Sequence, residues 1–231
     1  MRPYPRGQPL VVKIGGGLLR EKGLDGLRQA CAFAEAEAVA GGRPVLVVPG
    51  GGPFADAVRA VDDQVGLADD VAHMLALRAM DQLGVLLRGL LPAAELVTEL
   101  VAPRALGVLD VAPAFADRPD VPQSWAVTSD SLAVLAAAAI GADEAVLLKP
   151  VAGVLARWPS DVGGWDPIPW DPIPTLTAAE LAALQARGGG RAVDAYLPEA
   201  VERTGVIVVV RAPRTAGTGT ETPTGTRISP G

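Results

Sequence analysis

The sequence reads LVVKIGGG at residues 10–17 and VLVVPGGG at residues 45–52. Each stretch is a short apolar run, rich in β-branched residues, that ends in three glycines and is followed by residues with helical character. A buried strand that turns through glycines into a helix presents backbone N–H groups to an anion. Two such turns would hold two phosphate-bearing ligands side by side, with Lys13 as a mobile positive charge between them. The pattern predicts a parallel sheet and indicates phosphoryl transfer.

Composition narrows the class of protein. A chain of 231 residues that is 49% hydrophobic can bury a full core, as one large domain or two lobes. The formal net charge of −6 comes without a basic run, which argues against nucleic acid as a partner. The apolar stretch at 132–142 is far shorter than the ~20 residues that span a bilayer, and no signal-peptide core precedes Lys13. Because Cys31 is the only cysteine, we expect no internal disulfide, no cysteine-rich metal site and a cytoplasmic location with no membrane partner.

Apolar runs and their glycine or proline breaks predict alternating strands and helices. Strands are predicted at residues 10–14, 45–48, 95–101, 106–111, 145–148, 205–210 and 226–228. Helices are predicted at residues 24–40, 53–61, 68–90, 129–140, 177–187 and 194–204. The strands at 95–101 and 106–111 are interpreted as an antiparallel edge, and Ser129 or Asp130 as the cap of the helix that follows. This alternation is typical of an α/β fold around a mostly parallel sheet, with ligands at the carboxyl ends of the strands.

A tandem repeat interrupts this alternation, where WDPIP at residues 165–169 is followed at once by WDPIP at residues 170–174. Its prolines forbid a helix or a central strand. Two interpretations stay open for the loop at 156–174. It is either a stiff surface loop or a lid whose tryptophans stack on a base or on a neighbouring subunit.

Four motifs follow one another along the chain: KIGGG at 13–17, PGGG at 49–52, VTSDS at 127–131 and LLKPVAGV at 147–154. In this order they resemble the amino acid kinase superfamily, which includes acetylglutamate, aspartate, uridylate and isopentenyl phosphate kinases. The resemblance covers nearly the whole chain and implies a three-layer αβα sandwich with a mostly parallel central sheet. It also implies an acceptor-substrate lobe with the catalytic lysine at residues 1–143, and a nucleotide-binding lobe at residues 144–231.

Further motifs are similar to one branch of this superfamily. They are DDVAH at 69–73, AMDQ at 79–82 and VDAYLPE at 193–199. The branch contains the kinase of methanofuran biosynthesis, which converts an aminomethylfuran-methyl phosphate to a diphosphate. The resemblance therefore implies an ATP-dependent kinase whose acceptor is a phosphate monoester bearing an amine, in the biosynthesis of a one-carbon cofactor.

The resemblance assigns three catalytic residues. It places Lys13 at the transferring phosphoryl group, Asp130 as the aspartate that orients the catalytic lysines, and Lys149 at the nucleotide phosphates. Read without the resemblance, Asp130 is equally well a helix cap and Lys149 a surface lysine. Several family kinases carry a second lysine after a later Gly-Gly turn, but this chain reads GGGRAVD at residues 188–194. Either Lys149 or Arg191 replaces that lysine, or one charge is absent.

The nucleotide-binding set lies at three glycine-containing turns. It comprises Gly15, Gly16, Gly17, Lys149, Val151, Gly153, Val154, Gly189 and Arg191. Many family members have Ser or Thr where this chain has Gly17, so one hydroxyl contact to the nucleotide is expected to be missing. Without the resemblance, a glycine triplet indicates only a tight turn.

The acceptor-binding set is predicted around the second glycine triplet. It comprises Gly50, Gly51, Gly52, Asp56, Asp62, His73 and Thr128. Asp56 stands where isopentenyl phosphate kinases have a phosphate-binding histidine, and either Asp56 or Asp62 would instead meet an ammonium group. The alternative is that both are solvated helix carboxylates. His73, the only histidine, is either part of this site or a helix or subunit contact.

ATP and Mg²⁺ are the expected cofactors. Mg²⁺ would bind through the nucleotide phosphates, and no protein metal site is predicted. The expected partners are a small-molecule phosphate acceptor and a second copy of the chain, paired through the apolar helix at 68–90. The alternative function is a non-catalytic nucleotide- or oxyanion-binding, regulatory member of the same fold. A dinucleotide-dependent dehydrogenase ranks third, because the G-x-G-x-x-G spacing is missing.

Overall fold

The computed structural model describes residues 7–156, 171–213 and 225–231. The strands are β1 (Leu10–Ile14), β2 (Val45–Pro49), β3 (Glu95–Val97), β4 (Leu106–Leu109), β5 (Glu144–Leu148), β6 (Thr175–Thr177), β7 (Ile207–Arg211) and β8 (Thr226–Ser229). The helices are α1 (Gly17–Val39), α2 (Gly52–Val65), α3 (Asp69–Leu90), α4 (Val111–Phe115), α5 (Ser129–Ala139), α6 (Ala178–Ala186) and α7 (Leu197–Thr204).

One eight-stranded sheet forms the middle layer, in the order β3-β4-β2-β1-β5-β7-β8-β6. Successive residues of β1 belong to different cores. Leu10, Val12 and Ile14 pack with α1 and part of α3, whereas Val11 packs with α5. Because side chains alternate along a strand, Lys13 points to the same face as Val11, toward α5. Helices thus cover both faces of the sheet, and the predicted αβα sandwich is confirmed.

The interpretation of residues 95–111 as an antiparallel edge was wrong. Here β3 and β4 pair in parallel, with Glu95 opposite Gly107. The connection at 98–105 carries the chain back to the starting end of the sheet, and the Arg104 backbone N–H donates to the Glu95 carboxylate at 2.7 Å. The antiparallel pair is instead β7 with β8, toward the other edge.

Several boundaries differ from the sequence prediction. Helix α1 begins at Gly17 rather than residue 24, with a kink at Gly23 where φ is 58°. The cap of α5 is Thr128, whose hydroxyl accepts from the Asp130 N–H, and not Ser129 or Asp130. Helix α4 and strand β6 were not predicted, because each is too short for its periodicity to show. Both tryptophans of the WDPIP repeat lie outside the described residues, so the two interpretations of that loop stay open.

The apolar surface of α3 is divided between core and solvent. Leu83 and Leu87 are fully buried against the sheet, whereas Val71, Met74 and Leu75 lie on the exposed side. The core therefore accounts for part of the apolar surface of this helix. Pairing of two chains through the remaining residues stays a prediction, which sedimentation at micromolar concentration would test.

The apolar stretch at 132–142 is mostly α5, which packs against β1 on one side and α7 on the other. Its side chains from Leu132 to Ala137 are all buried. In the parts of the chain that the structure describes, we find no helix with the length and apolar character needed to cross a membrane.

Candidate active site

The two glycine loops touch each other backbone to backbone. A Cβ atom on Gly16 would lie 2.0 Å from the Gly52 Cα, and Gly52 itself has a φ of 53°. The contact places the N-termini of α1 and α2 side by side, and neither has a side-chain cap among the described residues. Their first-turn N–H groups are therefore available to anions. Gly50 belongs to the same packing, since a Cβ there would lie 2.9 Å from the Gly16 nitrogen.

This contact predicts opposite outcomes for two neighbouring glycines. Gly16→Ala must push the loops apart, and we expect it to lower the free energy of unfolding by about 2 kcal/mol, in the range of overpacking substitutions. Gly17→Ser is expected to stay within about 0.5 kcal/mol, because its Cβ would meet only the Pro150 ring at 3.5 Å. Urea unfolding of both variants checks the pair. Equal stability of the two would contradict the close approach.

Lys13, Asp130 and Lys149 form a buried charge cluster beside these loops. The Asp130 carboxylate lies 2.8 Å from the Lys13 Nζ through one oxygen and 2.6 Å from the Lys149 Nζ through the other. The two lysines meet because β1 and β5 are neighbours in register and each lysine lies at a strand end. Asp130 reaches them from the first turn of α5. The structure thus brings together all three residues predicted to be catalytic.

Burial and charge oppose each other in this cluster. Burial would raise the pKa of the Asp130 carboxyl, but Lys13 and Lys149 outweigh it and hold that pKa at about 2. Burial lowers the pKa of the Lys13 ammonium to about 8; the attraction of Asp130 opposes this shift, and the charge of Lys149 adds to it. At neutral pH the cluster therefore holds two ammonium groups on one carboxylate.

The Lys13 pKa predicts a pH dependence of phosphoryl transfer. We expect kcat/KM to fall as the pH rises through about 8, because the ammonium charge is lost there. Loss of the Lys13 charge is not expected to unfold the protein. The unfolded lysine titrates near 10.5, so this group adds stability as the pH rises from about 8 to 10.5. A pH–rate profile with circular dichroism at each pH separates the two effects. A flat profile from pH 7 to beyond about 9 would contradict the assignment.

Asp194 is a site residue that sequence reasoning missed. Its carboxylate accepts hydrogen bonds from the Thr128 N–H at 2.9 Å, the Thr128 hydroxyl at 2.8 Å and the Ser131 N–H at 3.0 Å. Burial and the nearby Asp130 charge raise its pKa. Asp194 therefore ties the chain after the Gly-Gly turn to the N-terminus of α5, which carries Asp130. The signal was present in the VDAYLPE motif, but nothing in one sequence shows what that aspartate faces.

The two candidates for the second basic group have different surroundings. The Lys149 ammonium reaches Asp130, whereas the Arg191 side chain is exposed and its Nε donates to the Gly188 carbonyl at 3.0 Å. Lys149 is thus the second positive charge at Asp130. That Lys149 replaces the lysine which the family resemblance placed after the Gly-Gly turn stays a prediction.

Other residues of the predicted nucleotide set have packing contacts in the structure. Val154 is buried, and its N–H donates to the Thr226 hydroxyl at 2.7 Å. A Cβ on Gly153 would lie 2.6 Å from the same hydroxyl, and one on Gly189 would lie 2.6 Å from the Ala156 carbonyl oxygen. Val151 is half-buried. The nucleotide contacts of these four residues stay predictions.

A cavity of about 160 Å³ opens beside Lys13 and both glycine loops. Its apolar lining comes from three elements and the loop before α5: Ala55, Ala76, Leu77, Met80, Val127 and Leu132. Its polar lining comprises Lys13, Arg20, Asp56, Arg59, His73, Trp125, Thr128 and Ser129. Of the predicted acceptor set, Gly51, Gly52, Asp56, His73 and Thr128 lie here, whereas Gly50 and Asp62 do not.

The two acidic residues predicted to meet an ammonium group already have basic or N–H partners. The Asp56 carboxylate pairs with Arg20, and with Arg59 at 3.2 Å. The Asp62 carboxylate accepts from the Trp125 Nε1 at 2.7 Å and from the Leu67 N–H at 2.8 Å. Arg59 also lies 4.7 Å from the centre of the Trp125 ring. Helix α2 thus holds Trp125 at the cavity through Asp62 and Arg59.

Known proteins are similar to this chain in sequence and in fold. The model of the amino acid kinase family matches residues 8–211. The [5-(aminomethyl)furan-3-yl]methyl phosphate kinase of Methanocaldococcus jannaschii is 25% identical over 154 residues, which cover 64% of this chain and 69% of that protein. Uridylate kinase from Archaeoglobus fulgidus superimposes with a TM-score of 0.66 at 20% identity, over 95% of this chain and 99% of that one. Aspartate kinase from Synechocystis gives 0.68 at 19% identity, over 96% of this chain and 40% of that one.

The comparisons agree with the fold and include the residues gathered at the site. The two solved structures show the same fold, and the family match extends across both glycine loops, Asp130 and Lys149. The resemblance to the superfamily, and to the branch with the methanofuran-biosynthesis kinase, is confirmed. The chain belongs to the amino acid kinase family and is a phosphotransferase.

Proposed function

We propose that the protein is an ATP-dependent kinase that transfers the γ-phosphoryl group to a small phosphate monoester bearing an amine. The observation that carries the proposal is the bridging of Lys13 and Lys149 by Asp130, beside two free helix N-termini. The acceptor class is taken from the relative that is a [5-(aminomethyl)furan-3-yl]methyl phosphate kinase. We also propose acceptor and nucleotide lobes at residues 1–143 and 144–231, and a cytoplasmic homodimer.

Phosphoryl transfer needs positioning and charge stabilisation more than covalent chemistry. Two ammonium groups held by one buried carboxylate are pre-oriented, so no reorganisation is needed when charge develops on the transferring group. Asp130 is acceptor-only at neutral pH, because its pKa is about 2. Its role is to hold the two lysines, not to remove a proton. An acceptor that is already a phosphate needs no general base, since its oxygen is ionised.

The net charge of the cavity lining supports an anionic acceptor. Lys13, Arg20 and Arg59 face the cavity with Asp56 as their only lining carboxylate. Asp56 holds both guanidinium groups, so they are oriented before a ligand binds. Arginine side chains placed in this way suit a phosphate group, which accepts several hydrogen bonds. The apolar lining between them and α5 suits a small ring.

The nucleotide is expected to bring Mg²⁺ with it. In the described ranges, no group of three His, Cys, Asp or Glu side chains is arranged to hold a metal ion. Mg²⁺ commonly binds through substrate phosphates with few protein ligands. It would supply additional charge at the phosphates, and the residues at Asp130 do not fit a dedicated metal site.

Turnover of purified protein tests the proposed acceptor. Protein, ATP and Mg²⁺ are incubated with [5-(aminomethyl)furan-3-yl]methyl phosphate or with isopentenyl phosphate, and ADP and the diphosphate product are quantified. We expect faster turnover of the aminomethylfuran phosphate. Faster turnover of isopentenyl phosphate would refute the amine-bearing acceptor and would leave only the family assignment.

Lys149→Ala and Arg191→Ala form a matched pair for the second basic group. Lys149→Ala should raise the apparent KM for ATP about tenfold or more, the effect of losing one charged hydrogen bond. Arg191→Ala should change it less, since that side chain is exposed and its Nε donates to the Gly188 carbonyl. Initial rates at varied ATP and fixed acceptor measure both. A rise in the acceptor KM alone would place Lys149 at the other substrate.

A further inference from the structure

A second, smaller cavity adjoins the cavity beside Lys13, which we call the acceptor cavity because it is proposed to hold the acceptor. It has a volume of about 20 Å³ and is lined by Asp69, Ala72, His73, Ala76, Ser124, Trp125 and Val127. His73, Ala76, Trp125 and Val127 also line the larger cavity, whereas Lys13 and the glycines line only the larger one. The shared residues therefore lie where the two cavities adjoin, and Lys13 lines only the larger one.

His73 is a buried polar group of this small cavity. Its side chain lies on α3, and the residue is only 8% exposed. No described residue forms a hydrogen bond with it. Burial lowers its pKa from the usual 6.5, so the imidazole is neutral at physiological pH. A neutral imidazole has one ring nitrogen that can accept a hydrogen bond from a ligand.

Asp69 adds a negative charge to the same cavity. It lies one helical turn before His73 on α3, so the two side chains share a face. Its carboxylate has no hydrogen bond or ion pair with any described residue. Asp56 and Asp62 differ in this respect, because both already have partners. Asp69 is thus the carboxylate near the acceptor cavity that can compensate a ligand's positive charge.

The size of the small cavity limits what it can hold. A water-sized group needs roughly 10–15 Å³, so about one such group fits. An ammonium group has this size and donates hydrogen bonds only. Ala76 and Val127 lie at the junction of the two cavities, where apolar methylene groups would pass.

The geometry points to a subsite for a primary ammonium group of the acceptor, in which His73 accepts a hydrogen bond and Asp69 supplies the opposite charge. The acceptor would lie with its phosphate toward Lys13 and its aminomethyl group in the small cavity. The inference rests on the proposed function and deepens it. It places the receptor of the amine on α3, whereas the sequence suggested Asp56 or Asp62 on α2.

Equilibrium binding without nucleotide tests the subsite independently of turnover. Calorimetry of the full chain compares [5-(aminomethyl)furan-3-yl]methyl phosphate with the analogue that carries a methyl in place of the aminomethyl group. We expect the amine to bind about tenfold more tightly or better. Asp69→Asn and His73→Leu should each remove most of that preference without weakening the analogue. Asp70→Asn is the matched control, because Asp70 lines neither cavity and accepts from the adjacent Val71 N–H.

The outcomes separate the subsite from the proposed function. Equal binding of the two compounds to the wild type, or no binding of either, overturns the subsite. So does a selective loss in Asp56→Asn with Asp69→Asn unchanged. Selective binding that depends on Asp69, combined with no ADP formation from ATP, supports the subsite and refutes the proposed kinase reaction. Because Asp69 is exposed at the start of α3, its variant is expected to fold even if the His73 variant does not.

Discussion

Lys13→Ala is expected to reduce phosphoryl transfer by about 100- to 1,000-fold, the usual effect of removing one preorganised charge donor from a transition state. The side chain is buried, lies between the two glycine loops and holds its ammonium on Asp130. Asp130 keeps Lys149 as a partner, so the fold and much of the nucleotide affinity should survive. Turnover under saturating ATP and acceptor, with thermal unfolding of the same sample, measures both parts.

Two further variants sharpen this experiment. Lys13→Arg should not restore activity, because the Lys13 side chain is buried and a planar guanidinium needs more room. Lys22→Ala is the control, since Lys22 is an exposed lysine on α1. Turnover of Lys13→Ala within about fivefold of the wild type, roughly 1 kcal/mol, would refute the assignment.

Asp130→Asn is expected to abolish measurable transfer and also to destabilise the fold. The substitution leaves two ammonium groups side by side without their shared carboxylate, and Lys13 is buried. Removing one partner of a buried charge cluster typically costs about 3–5 kcal/mol. Urea unfolding at pH 7 should show a loss of this order. Asp25→Asn should stay close to the wild type, because Asp25 is exposed and, among the described residues, pairs with Arg28 on the same helix.

Acid unfolding provides a second readout for Asp130. Its folded pKa of about 2 lies below the unfolded value of 3.8, so its contribution to stability is present above pH 3.8 and is lost as the pH falls through about 2. The wild type should therefore lose more stability over this window than Asp130→Asn does. A double variant, Lys13→Met with Asp130→Asn, should regain stability but not activity. Equal acid sensitivity of wild type and Asp130→Asn would show that Asp130 is not the depressed carboxyl.

The buried strands and the two glycine turns could be predicted because their causes are local. The runs at 10–14 and 45–48 are fully apolar or nearly so, and only a strand buried on both faces has this pattern. Glycines directly after both runs indicated helix N-termini without side-chain caps. The family resemblance then identified Lys13, Asp130 and Lys149, and the structure places all three in contact.

The wrong or missed assignments have non-local causes. The direction of β3 depends on how the chain at 98–105 crosses the sheet edge, which periodicity does not encode. The pairing of Asp56 with Arg20 joins two different helices, and one sequence does not show it. Asp194 acts on a helix N-terminus 63 residues earlier in the chain.

The sequence alone determines which strands are buried and which turns need glycine. It also places a lysine at the end of the first strand. Those features depend on neighbours within a few residues. The contact of Lys149 with Asp130, the pairing of Asp56 with Arg20 and the cavity around His73 were decided only by the tertiary structure. Each of them depends on which distant side chain occupies the same few ångströms, and charge pairing and burial act over that distance rather than along the chain.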